Sequence, residues 1–167
     1  MTDATPDKST LKARPPFSIL LLNGPNLAAT GQRRPDIYGH RPLSDIPEMV
    51  KVLLEDRAAK INLSFFQSNS EGELITRLES AREKGEQGIV FNAGAYTHTS
   101  LALADCIEWI GIPVVEVHIS NVFARKEKIR RHSFMAPHVV GVISGFGLMG
   151  YVLAIQALYA HLSGLVE

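Results

Sequence analysis

Proton transfer needs one group to take a proton and another to give one, and this chain offers candidates for both. Tyr38 sits in "RRPDIYG", a short loop led by Arg33 and Arg34. A free tyrosine hydroxyl has a pKa near 10 and is a poor base at neutral pH, but a guanidinium beside it favours the phenolate. Either arginine could be the activator. His118 lies in "PVVEVHIS", two residues after Glu116. Residues two apart on a strand share a face, so the carboxylate would lie beside the imidazole and orient it as a general acid. Asn23, Asn26 and Asn92 are neutral donors for an oxyanion or an enolate. Arg125, Arg130 or Arg131 could grip a substrate carboxylate in a two-pronged contact. Together these groups suit removal of a proton next to a carbonyl, followed by loss of a leaving group.

Competing chemistries lack their patterns. "NGPN" is not a P-loop, and no GxGxxG follows the first apolar run. His98, His118, Glu116 and Asp105 are metal-ligand types, but no HxH, HExxH or CxxC spacing is present. There is no GxSxG elbow, and no lysine stands at a strand end to form a Schiff base. A metal is not expected. Lys+Arg and Asp+Glu both total 17, so nothing in the bulk charge draws the chain to nucleic acid or an anionic membrane. The single cysteine, Cys106, excludes an intrachain disulfide and fits a cytoplasmic setting.

These groups need a frame. Residues 1–16 have no apolar core and read as a disordered tail, and 17–167 as one domain. Strand-like runs at 17–22, 61–67, 88–92, 113–120 and 139–144 alternate with helical spacing at 42–60, 70–85, 99–111 and 148–162. Ser70 and Glu73 form a capping-box pattern. The stretch 139–162 carries no charge, but "SGFG" divides it into a strand, a turn and a buried helix rather than a membrane span. The alternation predicts an α/β fold of five βα units, a parallel sheet with helices on both faces. Ligands of such sheets sit beyond the carboxyl ends of the strands. There Asn23, Asn26, Asn92, His98, Glu116, His118, Ser120 and Asn121 should converge, covered by the Tyr38 loop. Asp105, by helical periodicity, reads as an ordinary exposed residue.

The stretches "LLLNGPNL", "RRPDIYG", "QSNSEGELI", "FNAGAYTHTS", "PVVEVHISNV" and "RRHSF…GVISGFGLMGY" resemble, in order and over about residues 17 to 160, the type II 3-dehydroquinases. The resemblance implies a flavodoxin-like three-layer sandwich and a dodecamer of four trimers. It also implies dehydration of 3-dehydroquinate to 3-dehydroshikimate in the shikimate or quinate pathway, with no cofactor. It makes Tyr38 the base, Arg33 its activator, Asn26 the enolate stabiliser, and His118, backed by Glu116, the acid. Asn92, His98, Ile119 and Ser120 match substrate contacts. Arg130 matches the carboxylate anchor, with Arg125 upstream of it, and Asp105 matches a residue reaching a neighbouring subunit's site. Ala28, Ala29 and Thr30 replace an asparagine and two leucines common in the family, Ser70 stands where a histidine is common, and "RKEKIRR" is one residue longer. The competing reading is a non-catalytic flavodoxin-like module that binds a small carboxylate or a flavin.

Overall fold

The computed structural model describes residues 16–31 and 41–166. Five strands form one parallel sheet: β1 (Phe17–Asn23), β2 (Ile61–Gln67), β3 (Gly88–Asn92), β4 (Val114–His118) and β5 (Gly141–Ser144). Their order is β2-β1-β3-β4-β5. The chain leaves β1 toward one edge and returns to its other side at β3, so the topological switch point lies between β1 and β3. Four α-helices accompany the sheet: α1 (Ile46–Leu54), α2 (Glu71–Glu79), α3 (Leu101–Ile110) and α4 (Met149–Leu162).

The period of two along β1 divides the core. Ile19 and Leu21 pack with Val90, Val115 and Val117 beneath α1 and α4, while Leu20 and Leu22 pack with Ile89, Phe91 and Val114 beneath α2 and α3. Both faces are covered, which is why β1 and β3 read as unbroken apolar runs. These rows also aim the polar strand ends. Asn23 and Asn92 continue the α4-facing rows, whereas Glu116 and His118 alternate with Val115 and Val117 and face the other way.

Several boundaries differ from the sequence expectation. The four α-helices of the described residues fall within the four runs of helical spacing, and the crossover from β4 to β5 holds no α-helix, running instead through three short 3-10 turns at Val122–Ala124, Lys128–Arg131 and Ala136–His138. The helix expected over 42–60 is α-helical only to Leu54, since Glu55 takes a positive φ of 49° and the chain tightens into a 3-10 turn. The capping box is half made: Ser70 accepts from the Glu73 backbone N–H, but the Glu73 side chain accepts from Ser68 instead of reaching back to Ser70. The charge-free stretch 139–162 divides into β5, a glycine turn and α4 as expected, and no described helix is long and apolar enough to cross a membrane. The tail expected over 1–16 lies outside the described residues except for Pro16.

The loops after β1 and β3 cross at close quarters. Gly24 donates its N–H to the Asn92 carbonyl at 2.7 Å, and a Cβ at Gly24 would stand 2.5 Å from the Ala93 carbonyl oxygen. Only glycine fits there, because the atom in the way is backbone. Gly24→Ala should therefore lower stability by about 1–3 kcal/mol, as overpacking does. Urea unfolding checks this, and an unchanged midpoint would contradict the crossing geometry.

Candidate functional site

One cavity opens at the carboxyl edge of the sheet, across the switch point. Asn26, Leu27, Ala29 and Thr30 from the loop after β1 line it, with Asn92 and His98 from β3 and its following turn. His118, Ile119 and Ser120 close it from β4, and Arg125 and Arg130 come from the crossover to β5. Its volume of about 170 Å³ is roughly that of six liquid waters, the scale of one small ring.

Backbone geometry aims Asn26. The residue is left-handed, at φ 67° and ψ 3°, a conformation that asparagine tolerates better than most residues. Its N–H donates to Asn69 Oδ1 at 2.9 Å. Asn69 is tied down in turn, since its backbone carbonyl accepts the Tyr96 hydroxyl at 2.8 Å and its Oδ1 accepts from Gln67 at 3.2 Å. Ala28 and Ala29 lie in a 3-10 turn that Thr30 closes, donating its hydroxyl to the Leu27 carbonyl at 2.7 Å.

On β4, the shared face expected for Glu116 and His118 is realised as a bond: His118 Nε2 donates to Glu116 Oε1 at 2.8 Å. Glu116 is 1% exposed and does not line the cavity mentioned above; it sits behind the histidine. Thr97 donates to the same oxygen, and Ser133 donates to Oε2 at 2.8 Å. Ser133 is held by backbone N–H bonds from Met135 at 3.1 Å and Ala136 at 3.0 Å. Burial alone would raise the Glu116 carboxyl pKa, but the bonds from His118, Thr97 and Ser133 outweigh it and hold the pKa below the ordinary value.

His98 is set by different partners. Its Nδ1–H donates to the His132 carbonyl at 2.6 Å, which leaves Nε2 as an acceptor in the neutral ring. Burial lowers its pKa, and His118, Arg130 and Arg125 lower it further against the opposing pull of the His132 carbonyl. The His98 and His118 rings stack 6.4 Å apart at 9°. The cap of α3 is Ser100, whose hydroxyl accepts from the Leu103 N–H at 2.9 Å. On the cationic wall, Arg125 donates to Ser120 Oγ at 2.7 Å beside Arg130. Buried acceptors on one side and two guanidinium groups on the other suit a small anion with hydroxyl groups.

Not every expected residue reaches the cavity. Asn23 lies beneath it, and Asn121 caps the turn after β4, accepting from the Phe123 N–H at 3.0 Å. Asp105 is exposed on α3, away from this chain's cavity, as its periodicity predicted. Tyr38, Arg33 and Arg34 lie outside the described residues. Among those described, no cluster of three or more His, Cys, Asp or Glu is arranged to hold a metal ion. Four supporting residues carried no signal of their own in the sequence: Asn69, Thr97, Ser133 and Tyr151 sit in turns or in an apolar helix, and only folding brings them to these partners.

Comparison with known proteins gives one consistent answer. The family model described as dehydroquinase class II matches residues 17–159. A 3-dehydroquinate dehydratase of a Nostoc species is 49% identical over 151 residues, covering 89% of this chain and 99% of its own. The crystal structure of a type II dehydroquinase from Butyrivibrio crossotus superposes with a TM-score of 0.78 at 40% identity, covering 86% of this chain and 97% of that one. One from Propionibacterium acnes gives 0.77 at 35% identity, covering 89% and 99%.

The Glu116 cluster makes a pH-dependent prediction. A carboxyl with a lowered folded pKa contributes stability that is complete above its unfolded value and is lost as pH falls. Ser133→Ala removes one donor, so Glu116 should titrate at higher pH than in the parent, as read by carboxylate ¹³C NMR. The stability gap between parent and variant should narrow as pH falls through the ordinary carboxyl range. An unmoved Glu116 titration would contradict the assignment of Ser133 as a donor.

Proposed function

The chain belongs to the class II dehydroquinase family, and on that footing we propose how its residues carry out the family's reaction. It is a 3-dehydroquinate dehydratase, which removes water from 3-dehydroquinate in the shikimate pathway. The product is 3-dehydroshikimate, and the proposed course is an anti elimination through an enolate.

Tyr38, held as phenolate by Arg33, takes the proton from C2. The electron pair moves onto the C3 carbonyl oxygen, and the amide of Asn26, working with a water, stabilises the enolate. Collapse of the enolate forms the C1–C2 double bond and breaks the C1–oxygen bond. His118 gives the departing hydroxyl its proton, and water leaves. Because Nε2 is committed to Glu116, Nδ1 is the nitrogen that delivers it. Asn92, His98, Ile119 and Ser120 bind the substrate, and Arg130, beside Arg125, anchors its carboxylate. The observation that carries this reading is the Glu116–His118 bond beneath a cavity walled by Asn26, Asn92, His98 and Arg130. The chain's residues supply base, acid and oxyanion donors without a cofactor.

The assembly proposed is a dodecamer of four trimers, acting in the cytoplasm, with a quinate-degrading role open to the same chemistry. Leu101, Asp105 and Trp109 are spaced by four on α3 and form one exposed stripe, with Leu101 60% and Trp109 71% exposed. An apolar stripe with a carboxylate in its middle supports a subunit contact that delivers Asp105 to a neighbour's cavity. Ala28, Ala29 and Thr30 leave the catalytic set itself unaltered.

The test is to add 3-dehydroquinate to the purified protein and follow the ultraviolet absorbance of the conjugated enone. The absorbance should rise, with or without a chelator, and Tyr38→Phe should lower kcat by about 10²–10⁴-fold. Arg33→Ala should slow the reaction and move its pH profile. A Tyr38→Phe variant of full activity would overturn the assignment of the base.

A further inference from the structure

Beneath the cavity, on the sheet face opposite Glu116, lies a second polar cluster that the proposed chemistry leaves unused. Tyr151, in the first turns of α4, is fully buried, and its hydroxyl reaches between the ends of β1 and β3. It accepts from Asn92 Nδ2 at 2.8 Å and lies 2.6 Å from Asn23 Oδ1. Asn23 and Asn92 are register partners at the ends of their strands. The other side of the Asn92 amide is fixed by the Gly94 backbone N–H, which donates to Asn92 Oδ1 at 3.2 Å.

That backbone N–H sets the direction of the whole chain of bonds. It can only donate, so it demands the carbonyl oxygen of Asn92 on its side. The Asn92 NH₂ must then face Tyr151, and the single Tyr151 proton must go to Asn23. Burial keeps that proton in place by pushing the phenol pKa well above its ordinary value. Asn92 spends one N–H on Tyr151, which leaves its second N–H as a donor at the cavity wall. Were the amide to flip, it would turn an acceptor toward the same space and face an anionic substrate with a like partial charge.

We propose that Tyr151 is a positioning residue: through its bonds to Asn23 and Asn92 it locks the Asn92 amide so that an N–H, not the carbonyl, meets the substrate. This rests on Asn92 being a substrate contact. Tyr151 touches no substrate and takes no part in proton transfer. The lock lies on the α4 face of the sheet, independent of the Glu116 cluster on the other face.

A double-mutant cycle separates positioning from mere stability. Kinetics of the full-length enzyme would be measured well below its unfolding temperature for Tyr151→Phe, Asn92→Ala and the double variant. Tyr151→Phe should raise KM about tenfold with kcat changed less than threefold, the signature of lost ground-state binding. In the Asn92→Ala background the same change should add less than a twofold effect. If Tyr151→Phe does not fold, Asn23→Ala, which keeps the aromatic ring and removes the proton acceptor, should raise KM in the same way. Tyr151→Phe, or Asn23→Ala in its place, with parental KM beside a weakened Asn92→Ala would overturn the lock. So would effects that multiply in the double variant. If Asn92→Ala itself left KM unchanged, the substrate contact would be wrong and the lock would fall with it.

Discussion

A charge that is almost wholly buried organises this site. Glu116 is surrounded by protein, and an isolated carboxylate in such a place would give up its charge or destabilise the fold by several kcal/mol. It keeps its charge because three donors converge on it: His118 from its own strand, Thr97 from the turn after β3, and Ser133 from the crossover to β5. Each of those segments is placed partly by that carboxylate. The same requirement that makes the fold tolerate Glu116 therefore fixes the ring plane of His118 and closes one wall of the cavity.

The rest of the geometry follows from the twofold period of the strands. On the α4 side, the rows of Ile19, Leu21 and Val90 end in Asn23 and Asn92, joined by Tyr151. On the α3 side, β4 ends in Glu116 and His118. The cavity sits at the rim where the two faces meet, so the substrate would touch a neutral amide prepared from one face and a histidine–carboxylate pair prepared from the other. Gly24 lets the loop carrying Asn26 cross the β3 loop closely enough to complete the rim. Two rigid supports beneath one small cavity are what preorganised donors require, because they need not reorganise as charge develops.

Much of this was legible in the sequence. Continuous apolar runs ending in "NGPN", "NAG" and "EVHIS" were enough to place the strands and say at which edge the cavity opens, and the two-residue spacing foretold the Glu116–His118 bond. What the sequence did not disclose were groups whose partners lie far along the chain. Tyr151 reads as one more apolar helix residue until α4 docks it 128 residues from Asn23. Ser133 and Thr97 are common loop residues until the crossover folds over β4. Asn23 reads as a cavity residue because strand ends cluster there, but its amide oxygen is taken up beneath the cavity by the buried Tyr151 hydroxyl. Helix lengths also escaped, since the positive φ at Glu55 is a tertiary choice that periodicity cannot see. Asp105 reads as exposed by periodicity and is exposed in the chain.

In the proposed mechanism the Glu116 carboxylate makes His118 an effective acid by holding it. The kinetics of Glu116→Gln, which keeps size and shape while removing the charge, test it most directly. In that variant kcat should fall by about 10²-fold or more, KM should stay within a few-fold of the parent, and no further loss should follow when the change is added to His118→Ala. A Glu116→Gln enzyme that turns over at the parental rate would contradict it.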